Sequence, residues 1–352
     1  MTDVTKDMNK KQVSIVIPTF NEEENIPLIY ESVTSLFRSR LSKYDYRILF
    51  VDNCSKDNSK KEIRELAKAD SHVQYIFYVR NFGFSKSTFY GLTQAEGDCA
   101  VLLFADMQDP PELIADFLEQ WEAGYPVVVG IKNKSQENKA KYKLRQIFYH
   151  LMKKITDIEH IEQFTGFGLY DRTVLNTLAR VDDALPYLRG IIAELTPECQ
   201  RVYYAQNKRK YGKSSFKFWN LYDVAMLGIT SYSRVLMRIA IIIGSITSII
   251  SMMIAVVTFF LKVFKLIDYP IGNAAILFGV YFLGGVILIF LGILGEYVAN
   301  INIRTMHHPI IVEQERYNLR REVVMNRVLV TGGTGFIGRW LIRELLANQV
   351  QV

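Results

Sequence analysis

The stretch Val13-Ser-Ile-Val-Ile-Pro-Thr-Phe-Asn-Glu-Glu-Glu24 decides the fold, because it has the pattern of a strand, a turn and the start of a helix. The apolar run 13–18 predicts a β-strand, and the residues after it predict a helix over 22–38. A second helix is predicted over 59–69. Strands that alternate with helices predict a doubly wound, mostly parallel α/β sheet within a domain over 13–215. Further short apolar runs predict the other strands, at residues 47–52, 73–79, 100–105 and 127–130.

Polar clusters follow four of the predicted strands. Ligands of doubly wound sheets bind beyond the carboxyl ends of the strands, so these clusters are predicted to meet at one ligand-binding edge. Each cluster taken alone also fits a structural interpretation, such as a helix cap at Thr19 or Asn21. The clusters are Pro18–Asn25, Asp52–Asp57, Arg80–Gly83 and Phe104–Glu112.

Apolar residues are concentrated late in the chain, in the uncharged runs 239–261 and 274–295. A bilayer core about 30 Å thick needs about 20 helical residues, so each run is long enough to span it. We therefore predict two transmembrane helices within 235–298, preceded by an amphipathic helix in the membrane interface over 216–234. The alternative is a pair of buried core helices, which rarely run so long without a charge.

The charges around these runs predict the orientation. Basic residues are frequent between 208 and 238 and between 304 and 321, whereas the loop 262–273 holds two lysines and one aspartate. Because positive residues favour the cytoplasmic side, we predict a multi-pass protein of the inner (plasma) membrane. Its sheet domain, its polar N-terminal tail 1–12 and its C-terminus are predicted to be cytoplasmic. The net charge of +6 suits anionic lipid, and no motif supports a nucleic-acid partner.

Eight segments carry a family resemblance: Ile17–Glu22, Val51–Asp52, Arg80–Gly83, Ala105–Glu112, Thr165–Asp171, Leu188–Gly190, Arg209–Ser214 and Gly295–Tyr297. Together they resemble glycosyltransferase family 2, in the branch that loads sugars onto polyprenyl phosphates, such as dolichyl-phosphate mannose synthase. The resemblance covers about residues 12–318. It implies a GT-A-like fold for the catalytic domain 13–215. It also implies a membrane-anchored, inverting transferase that moves a sugar from a nucleotide diphosphate sugar to an undecaprenyl-type polyprenyl phosphate on the cytoplasmic leaflet.

The resemblance also implies a divalent cation, Mg²⁺ or Mn²⁺, which would neutralise the leaving diphosphate. In the family an Asp-x-Asp-x-Gln run holds this ion, and here the run is Phe104-Ala-Asp106-Met-Gln108. Asp106 and Gln108 are thus the implied metal ligands, and Asp106 is the implied catalytic residue. Phe104 stands where the family has the first aspartate. Asp109 either assists the metal or caps the helix ahead of Pro110.

Two further sets of site residues follow from the resemblance. The acceptor phosphate is already anionic, so the site needs positive charge more than a strong general base. Arg209, also implied to be catalytic, and Lys213 would supply that charge, or would serve only as topology signals. The implied donor-binding residues are Pro18, Phe20, Glu22, Asp52, Asn53 and Ala105. The implied acceptor-phosphate residues are Arg209, Lys213, Ser214 and Arg189.

The C-terminal part follows a tail and linker over 299–324. Gly333-x-Gly335-x-x-Gly338 has the spacing of a dinucleotide-binding turn, and 325–352 resembles the opening of a sugar-nucleotide epimerase. The acidic residue that would bind ribose belongs about 20 residues further on, past Val352. We therefore predict a truncated, Rossmann-like epimerase start without dehydrogenase activity.

Three other functions stay open at this point: a transferase acting on a lipid-linked glycan, an epimerase judged from the tail, and a non-catalytic membrane scaffold. The predicted partners are a nucleotide-sugar donor, a polyprenyl phosphate and the membrane. The transmembrane helices pack within one chain or between chains, so a homo-oligomer is also open. Three widely spaced cysteines exclude a disulfide framework.

Overall fold

The computed structural model describes residues 10–134, 163–196, 199–207, 273–305 and 309–319, with residue 161 and short pieces between 226 and 264. By compactness the chain divides into residues 1–317 and 318–352. Of the second unit the structure describes only residues 318 and 319, so the predicted epimerase-like segment 325–352 lies outside the described residues.

The described residues form one eight-stranded sheet in the order β7-β5-β6-β4-β1-β2-β3-β8. The strands β1 to β5 and β7 run in one direction, and β6 and β8 are antiparallel to their neighbours. The predicted doubly wound, mostly parallel sheet is therefore confirmed. The strands are β1 (Gln12–Thr19), β2 (Asp45–Asp52), β3 (Val73–Tyr78), β4 (Cys99–Leu102), β5 (Val127–Lys134), β6 (Phe164–Asp171), β7 (Gln200–Ala205) and β8 (Glu313–Tyr317).

Helices cover both faces of the sheet, and their apolar stripes explain why they form. In the first helix Ile26, Ile29 and Val33 recur at helical spacing and are buried. The helices in the described residues are α1 (Ile26–Ser39), α2 (Ser59–Ala69), α3 (Phe84–Thr93), α4 (Leu113–Glu122), α5 (Arg172–Ala179), α6 (Leu188–Leu195) and α7 (Asn273–Thr305).

Several predicted boundaries were wrong, among them the end of β5, which lies at Lys134 instead of Gly130, and two boundaries at the polar loops. Helix α1 begins at Ile26 instead of Glu22, because the amides of Asn25 and Ile26 both donate to the Glu22 carbonyl and close a turn first. Strand β4 ends at Leu102 instead of Ala105, because the next residues leave the sheet and Met107 adopts a left-handed φ of 57°. Both corrections lengthen the polar loops at the carboxyl edge of the sheet.

The register of the central strands places these loops side by side. Thr19 at the end of β1 is paired with Asp52 at the end of β2, and β4 pairs with the other side of β1. All of β4, a central strand, is buried, so the centre of the sheet is covered on both faces. The polar residues after β1, β2 and β4 consequently emerge from one rigid edge.

Helix α7 contains the second predicted membrane run. Its part Leu283–Thr305, with a mean hydropathy of 1.9, is long and apolar enough to cross a membrane, and it is the one such helix among the described residues. It continues to Thr305, beyond the predicted end of the membrane region at residue 298. Most of the first predicted run and of the interfacial helix over 216–234 lies outside the described residues, so two transmembrane helices are not confirmed.

Candidate active site

The loops after β1 and β2 are joined by a dense set of hydrogen bonds. The Asn53 amide donates to the Thr19 carbonyl at 3.0 Å, and the Asn21 amide donates to Ser55 Oγ at 2.8 Å. Asn21 Oδ1 in turn accepts from the Lys56 amide at 2.8 Å. Asn21 and Cys54 both have left-handed φ angles, 56° and 64°, which these bonds hold in place. The first two polar clusters therefore form one fixed unit.

Asp52 lies beneath this unit and is fully buried. Its Oδ1 accepts from the Ser55 amide at 2.9 Å, and its Oδ2 accepts from the Ser55 hydroxyl. Lys60 Nζ lies 3.9 Å from Oδ1. Burial raises the pKa of the Asp52 carboxyl, and the Ser55 hydrogen bonds and the Lys60 charge oppose that rise. The Asp52 carboxylate thus stabilises the turn 52–55 from inside the protein.

Asn53 connects the second cluster with the third. Its Nδ2 donates to Asn81 Oδ1 at 3.0 Å, and its Oδ1 accepts from the Phe82 amide at 2.8 Å. The rings of Phe84, just after the third cluster, and Phe104, in the fourth, lie 5.5 Å apart between centroids. The structure therefore brings all four predicted clusters together at one edge of the sheet.

The remaining predicted donor residues line the same edge. Pro18, Phe20 and Glu22 are half-buried. Glu22 Oε2 accepts from Asn25 Nδ2 at 2.6 Å, and the Glu22 amide donates to Ser59 Oγ at 2.9 Å. These two hydrogen bonds therefore fix the orientation of the Glu22 side chain in the loop after β1.

The predicted metal loop follows β4. Asp106 is half-exposed, and its Oδ1 accepts from the Gln108 amide at 3.2 Å. Ala105 before it is buried. The described residues contain no group of three or more His, Cys, Asp or Glu side chains able to hold a metal ion. One carboxylate and one amide oxygen still suit Mg²⁺, which takes one or two protein carboxylates and completes its shell with substrate phosphates and water.

Asp109 lies inside the protein, against residues of β5 and β7. Its side chain is only 2% exposed, and Oδ1 accepts from the Tyr204 hydroxyl and lies 3.7 Å from Lys132 Nζ. The cap position of α4 is Glu112, so the helix-cap interpretation was wrong. Burial raises the pKa of the Asp109 carboxyl, and the Lys132 charge opposes that rise.

Lys132 and Tyr204 were missed by the sequence analysis. Burial and the nearby Asp109 charge raise the pKa of Tyr204, so its hydroxyl stays protonated and donates. The available signal was a lysine inside the otherwise apolar start of β5, Val-Val-Val-Gly-Ile-Lys132. A lone lysine in a strand does not reveal its partners, because they come from two other elements.

The predicted acceptor residues are only partly described. Arg189 is the second residue of α6, half-buried, with its guanidinium 5.1 Å from the centre of the Tyr187 ring. Arg209, Lys213 and Ser214 lie outside the described residues. The described chain reaches Asn207, whose amide donates to the Gln108 carbonyl at 2.9 Å. The segment that leads to the predicted phosphate cluster is therefore bonded to the metal loop.

A sheet with this strand order, whose carboxyl edge carries polar loops, is typical of an α/β enzyme that binds its ligands at that edge.

Comparison with known proteins identifies the family of the chain. Residues 14–179 match the family model described as glycosyl transferase family 2. The bactoprenol glucosyl transferase of Shigella phage SfV is 32% identical over 305 residues, which are 85% of this chain and 96% of that protein. The prophage bactoprenol glucosyl transferase homolog of Escherichia coli K12 is also 32% identical, over 85% of this chain and 97% of its own length.

Among solved structures, mannosyl-3-phosphoglycerate synthase from Rubrobacter xylanophilus is similar with a TM-score of 0.43 and 15% identity, over 62% of this chain and 72% of that one. This chain belongs to glycosyltransferase family 2 and is a glycosyltransferase. The GT-A-like character expected of its sheet fits that membership. The relatives reported above are glycosyltransferases, so the epimerase resemblance of residues 325–352 gains no support from them.

Proposed function

We propose that this chain is a membrane-anchored, metal-dependent and inverting glycosyltransferase. It moves a sugar from a nucleotide diphosphate sugar to a polyprenyl phosphate at the cytoplasmic leaflet. The observation that carries the proposal is the bond from the Asn207 amide to the Gln108 carbonyl. It brings the chain segment before the predicted phosphate-binding residues to the predicted metal loop. The polyprenyl acceptor is supported by relatives named as bactoprenol glucosyl transferases.

The donor lies along the joined loops after β1 and β2. Pro18, Phe20 and Glu22 line the edge and contact the nucleotide, with the Ala105 backbone beside the metal loop. Asp52 and Asn53 act through the loops they hold, because their side-chain oxygens already accept hydrogen bonds within the protein. Nucleotide affinity therefore depends on a preformed surface, which lowers the ordering cost of binding.

Asp106 and Gln108 would hold Mg²⁺ or Mn²⁺ at the donor diphosphate. When bound, the ion offsets the negative charge that develops as the diphosphate leaves. Asp106 is half-exposed, and its Oδ1 accepts from the Gln108 amide, so Oδ2 is the oxygen assigned to the ion in this proposal.

The acceptor phosphate supplies its own anionic oxygen, which attacks the anomeric carbon while the bond to the diphosphate breaks. One displacement of this kind inverts the anomeric configuration. Arg209, Lys213 and Ser214 would bind the phosphate and reduce its repulsion from the donor, with Arg189 contributing from α6. Two residues of chain span at most about 7 Å. Arg209 therefore lies within about this distance of Asn207, which is bonded to the metal loop.

Helix α7 provides a membrane anchor in this proposal. Its last turn is joined to the sheet domain, since Arg304 Nε and Nη2 donate to the Asp183 carboxylate at 3.1 and 3.2 Å. The domain is thereby held at the end of the helix, where a lipid phosphate resides. The proposed protein is a multi-pass inner-membrane protein with a cytoplasmic catalytic domain, an orientation that the distribution of basic residues favours.

The test is a donor screen with purified full-length protein, undecaprenyl phosphate, Mg²⁺ and a panel of radiolabelled sugar nucleotides. One donor should give labelled lipid, and Asp106→Asn should lower its formation at least about 100-fold. Asp116→Asn, an exposed aspartate on α4, is the matched control and should keep wild-type turnover. Absence of labelled lipid with every donor, while a control enzyme works, contradicts the proposal. Label found only on a longer lipid-linked glycan identifies the alternative acceptor.

A further inference from the structure

A buried polar cluster lies behind the metal loop and takes no part in the chemistry proposed above. It consists of Asp109 from the loop after β4, Lys132 from β5 and Tyr204 from β7. The Asp109 and Lys132 side chains are 2% and 10% exposed, and Tyr204 is also buried. Burying a carboxylate and an ammonium group is costly unless each is paired in good geometry. The cluster therefore marks a position where the loop, β5 and β7 must be held together.

Sheet register brings the two partners of Asp109 to one place. Lys132 and Tyr204 are directly paired across the parallel strands β5 and β7. A Cβ at Gly130 would lie 3.1 Å from Tyr204 Cε1 and 2.8 Å from Phe167 Cδ1, so the missing side chain makes room for both rings. The Phe167 and Tyr204 rings meet edge to face with centroids 5.6 Å apart. These contacts fix the direction in which the Tyr204 hydroxyl points.

The Tyr204–Asp109 hydrogen bond is the second of two adjacent hydrogen bonds between the loop after β4 and the end of β7. We call these two bonds ties. Tyr204 donates to Asp109, and Asn207, three residues later, donates to the Gln108 carbonyl at 2.9 Å. One hydrogen bond would act as a pivot, whereas two neighbouring bonds fix the orientation of the loop relative to the end of β7. Met107, with a φ of 57°, lies next to this tie, so the loop conformation depends on being held.

We infer that Lys132 and Tyr204 are positioning residues for the transfer reaction. By holding Asp109 they fix the metal loop against the chain that leaves β7 towards the acceptor-phosphate residues. The inference rests on the proposed function, because that function gives the two tied segments their roles. Misplacing reacting groups by about 1 Å is enough to lower turnover about 100-fold.

The first test asks whether the tie exists, and it needs no substrate. Hydrogen–deuterium exchange is measured on the full-length protein in detergent, for peptides covering 104–110 and 203–207. Tyr204→Phe should raise exchange in both peptides together. Tyr90→Phe is the matched control, since it also removes a tyrosine–carboxylate bond, from Tyr90 to Glu313 at 2.8 Å, and it should leave both peptides unchanged. Unchanged exchange in 104–110 of Tyr204→Phe overturns the inference.

The second test separates positioning from stability alone. With the best donor of the screen, Tyr204→Phe should lower kcat about tenfold and raise the KM for polyprenyl phosphate. Metal-free affinity for UDP and GDP, measured by calorimetry, should stay at the wild-type value, because the loops after β1 and β2 are held by their own hydrogen bonds. Lys132→Met should behave like Tyr204→Phe, and Lys132→Arg should restore part of the turnover.

The outcomes distinguish this inference from the proposed function. Faster exchange with wild-type kcat and acceptor KM makes the cluster merely structural and overturns the inference. If the wild-type protein transfers no sugar, the proposed function fails and the positioning role fails with it. The exchange measurement then still reports whether the two segments are tied.

Discussion

Phe104 occupies the position where the metal motif of the family carries its first aspartate. Its ring contacts Phe84, with 5.5 Å between the centroids, so the position is apolar and packed. Asp106 and Gln108 are left as the protein oxygens of the motif. A hard cation with so few protein ligands takes the rest of its shell from donor phosphates and water. We therefore expect metal and donor to bind together.

The substitution Phe104→Asp tests this expectation. A second carboxylate should lower the Mn²⁺ concentration for half-maximal binding, followed by electron paramagnetic resonance, about tenfold or more. The same substitution should lower the free energy of unfolding by about 1 kcal/mol, because the aromatic pair is lost. Phe84→Leu removes the pair and keeps the motif, so it reproduces the stability loss alone. Unchanged Mn²⁺ binding in Phe104→Asp would show that position 104 does not face the ion.

At the residue scale, the sequence locates a loop where its residues are close together, and the metal-binding role of Asp106 and Gln108 stays a prediction. Asp106 and Gln108 lie in one short motif, and their loop could be found directly. The Asp109 cluster could not be found, because Lys132 and Tyr204 come from strands whose pairing is set by the tertiary fold. Asp52 was predicted to contact the donor, yet its bonds to Ser55 lie inside the protein.

Among the elements, β8 shows how a polar segment becomes part of a sheet. It follows α7 in sequence and pairs antiparallel with β3, inside the region 299–324 for which the sequence analysis predicted a tail and linker. Glu315 accepts from Arg64 Nη2 and from the Tyr75 hydroxyl, each at 2.5 Å. The Tyr75 and Tyr317 rings stack with centroids 5.3 Å apart. Side chains therefore secure this edge strand to β3 and α2.

The attachment of β8 should depend on pH. The hydrogen bond from Arg64 lowers the pKa of Glu315 below its ordinary value of 4.5, with Tyr75 adding to the effect. A lowered native pKa means that the stabilisation is present above about pH 4.5 and is lost as the pH falls through the native value. Glu315→Gln should therefore speed hydrogen exchange of the β8 amides at pH 7. This difference in exchange rate from wild type should disappear at pH values below the native pKa of Glu315.

The matched control for that measurement is Glu65→Gln. Glu65 lies on α2 with 60% of its side chain exposed and 3.9 Å from Lys61, so its contribution is small. It should leave β8 exchange unchanged at every pH. A constant difference between Glu315→Gln and wild type across the pH range would show that the Arg64 contact does not depend on the charge of Glu315.

The strands β1 to β5 could be predicted, whereas β6, which lies inside the sheet, and the edge strands β7 and β8 could not. The apolar runs of β1 to β5 follow directly from burial in a parallel sheet. Strand β6 contains Gly166 and Gly168, and a Cβ at Gly168 would lie 2.5 Å from the Val128 carbonyl oxygen. Such a close backbone approach leaves no apolar pattern in the sequence. Strand β8, Glu-Gln-Glu-Arg-Tyr, has almost no apolar residues at all.

At the scale of the whole molecule, helix α7 is joined to the sheet domain by an ion pair. The Arg304–Asp183 ion pair joins the end of the helix to the loop before α6. The exposed apolar side chains along the helix, such as Leu288 and Leu291, fit a lipid environment. The proposed topology then places loop 262–273 outside the cytoplasm.

Labelling of single cysteines in intact cells, introduced into a variant in which Cys54, Cys99 and Cys199 are replaced by serine, tests that topology. Lys265→Cys in the loop should react with a membrane-impermeant maleimide, because the loop is proposed to face outward. Lys10→Cys, an exposed residue just before β1, is the control on the cytoplasmic side and should react only after the cells are lysed. Labelling of Lys10→Cys in intact cells would contradict the proposed orientation.

In the proposed enzyme, the metal loop and the predicted phosphate-binding segment serve one reaction centre. The most direct measurement is the steady-state KM for undecaprenyl phosphate in Arg209→Gln, beside Arg201→Gln on the exposed side of β7 as control. Arg209→Gln should raise this KM at least about tenfold and keep the KM for the donor, because a charged phosphate contact is lost. An unchanged acceptor KM in Arg209→Gln would contradict a shared reaction centre.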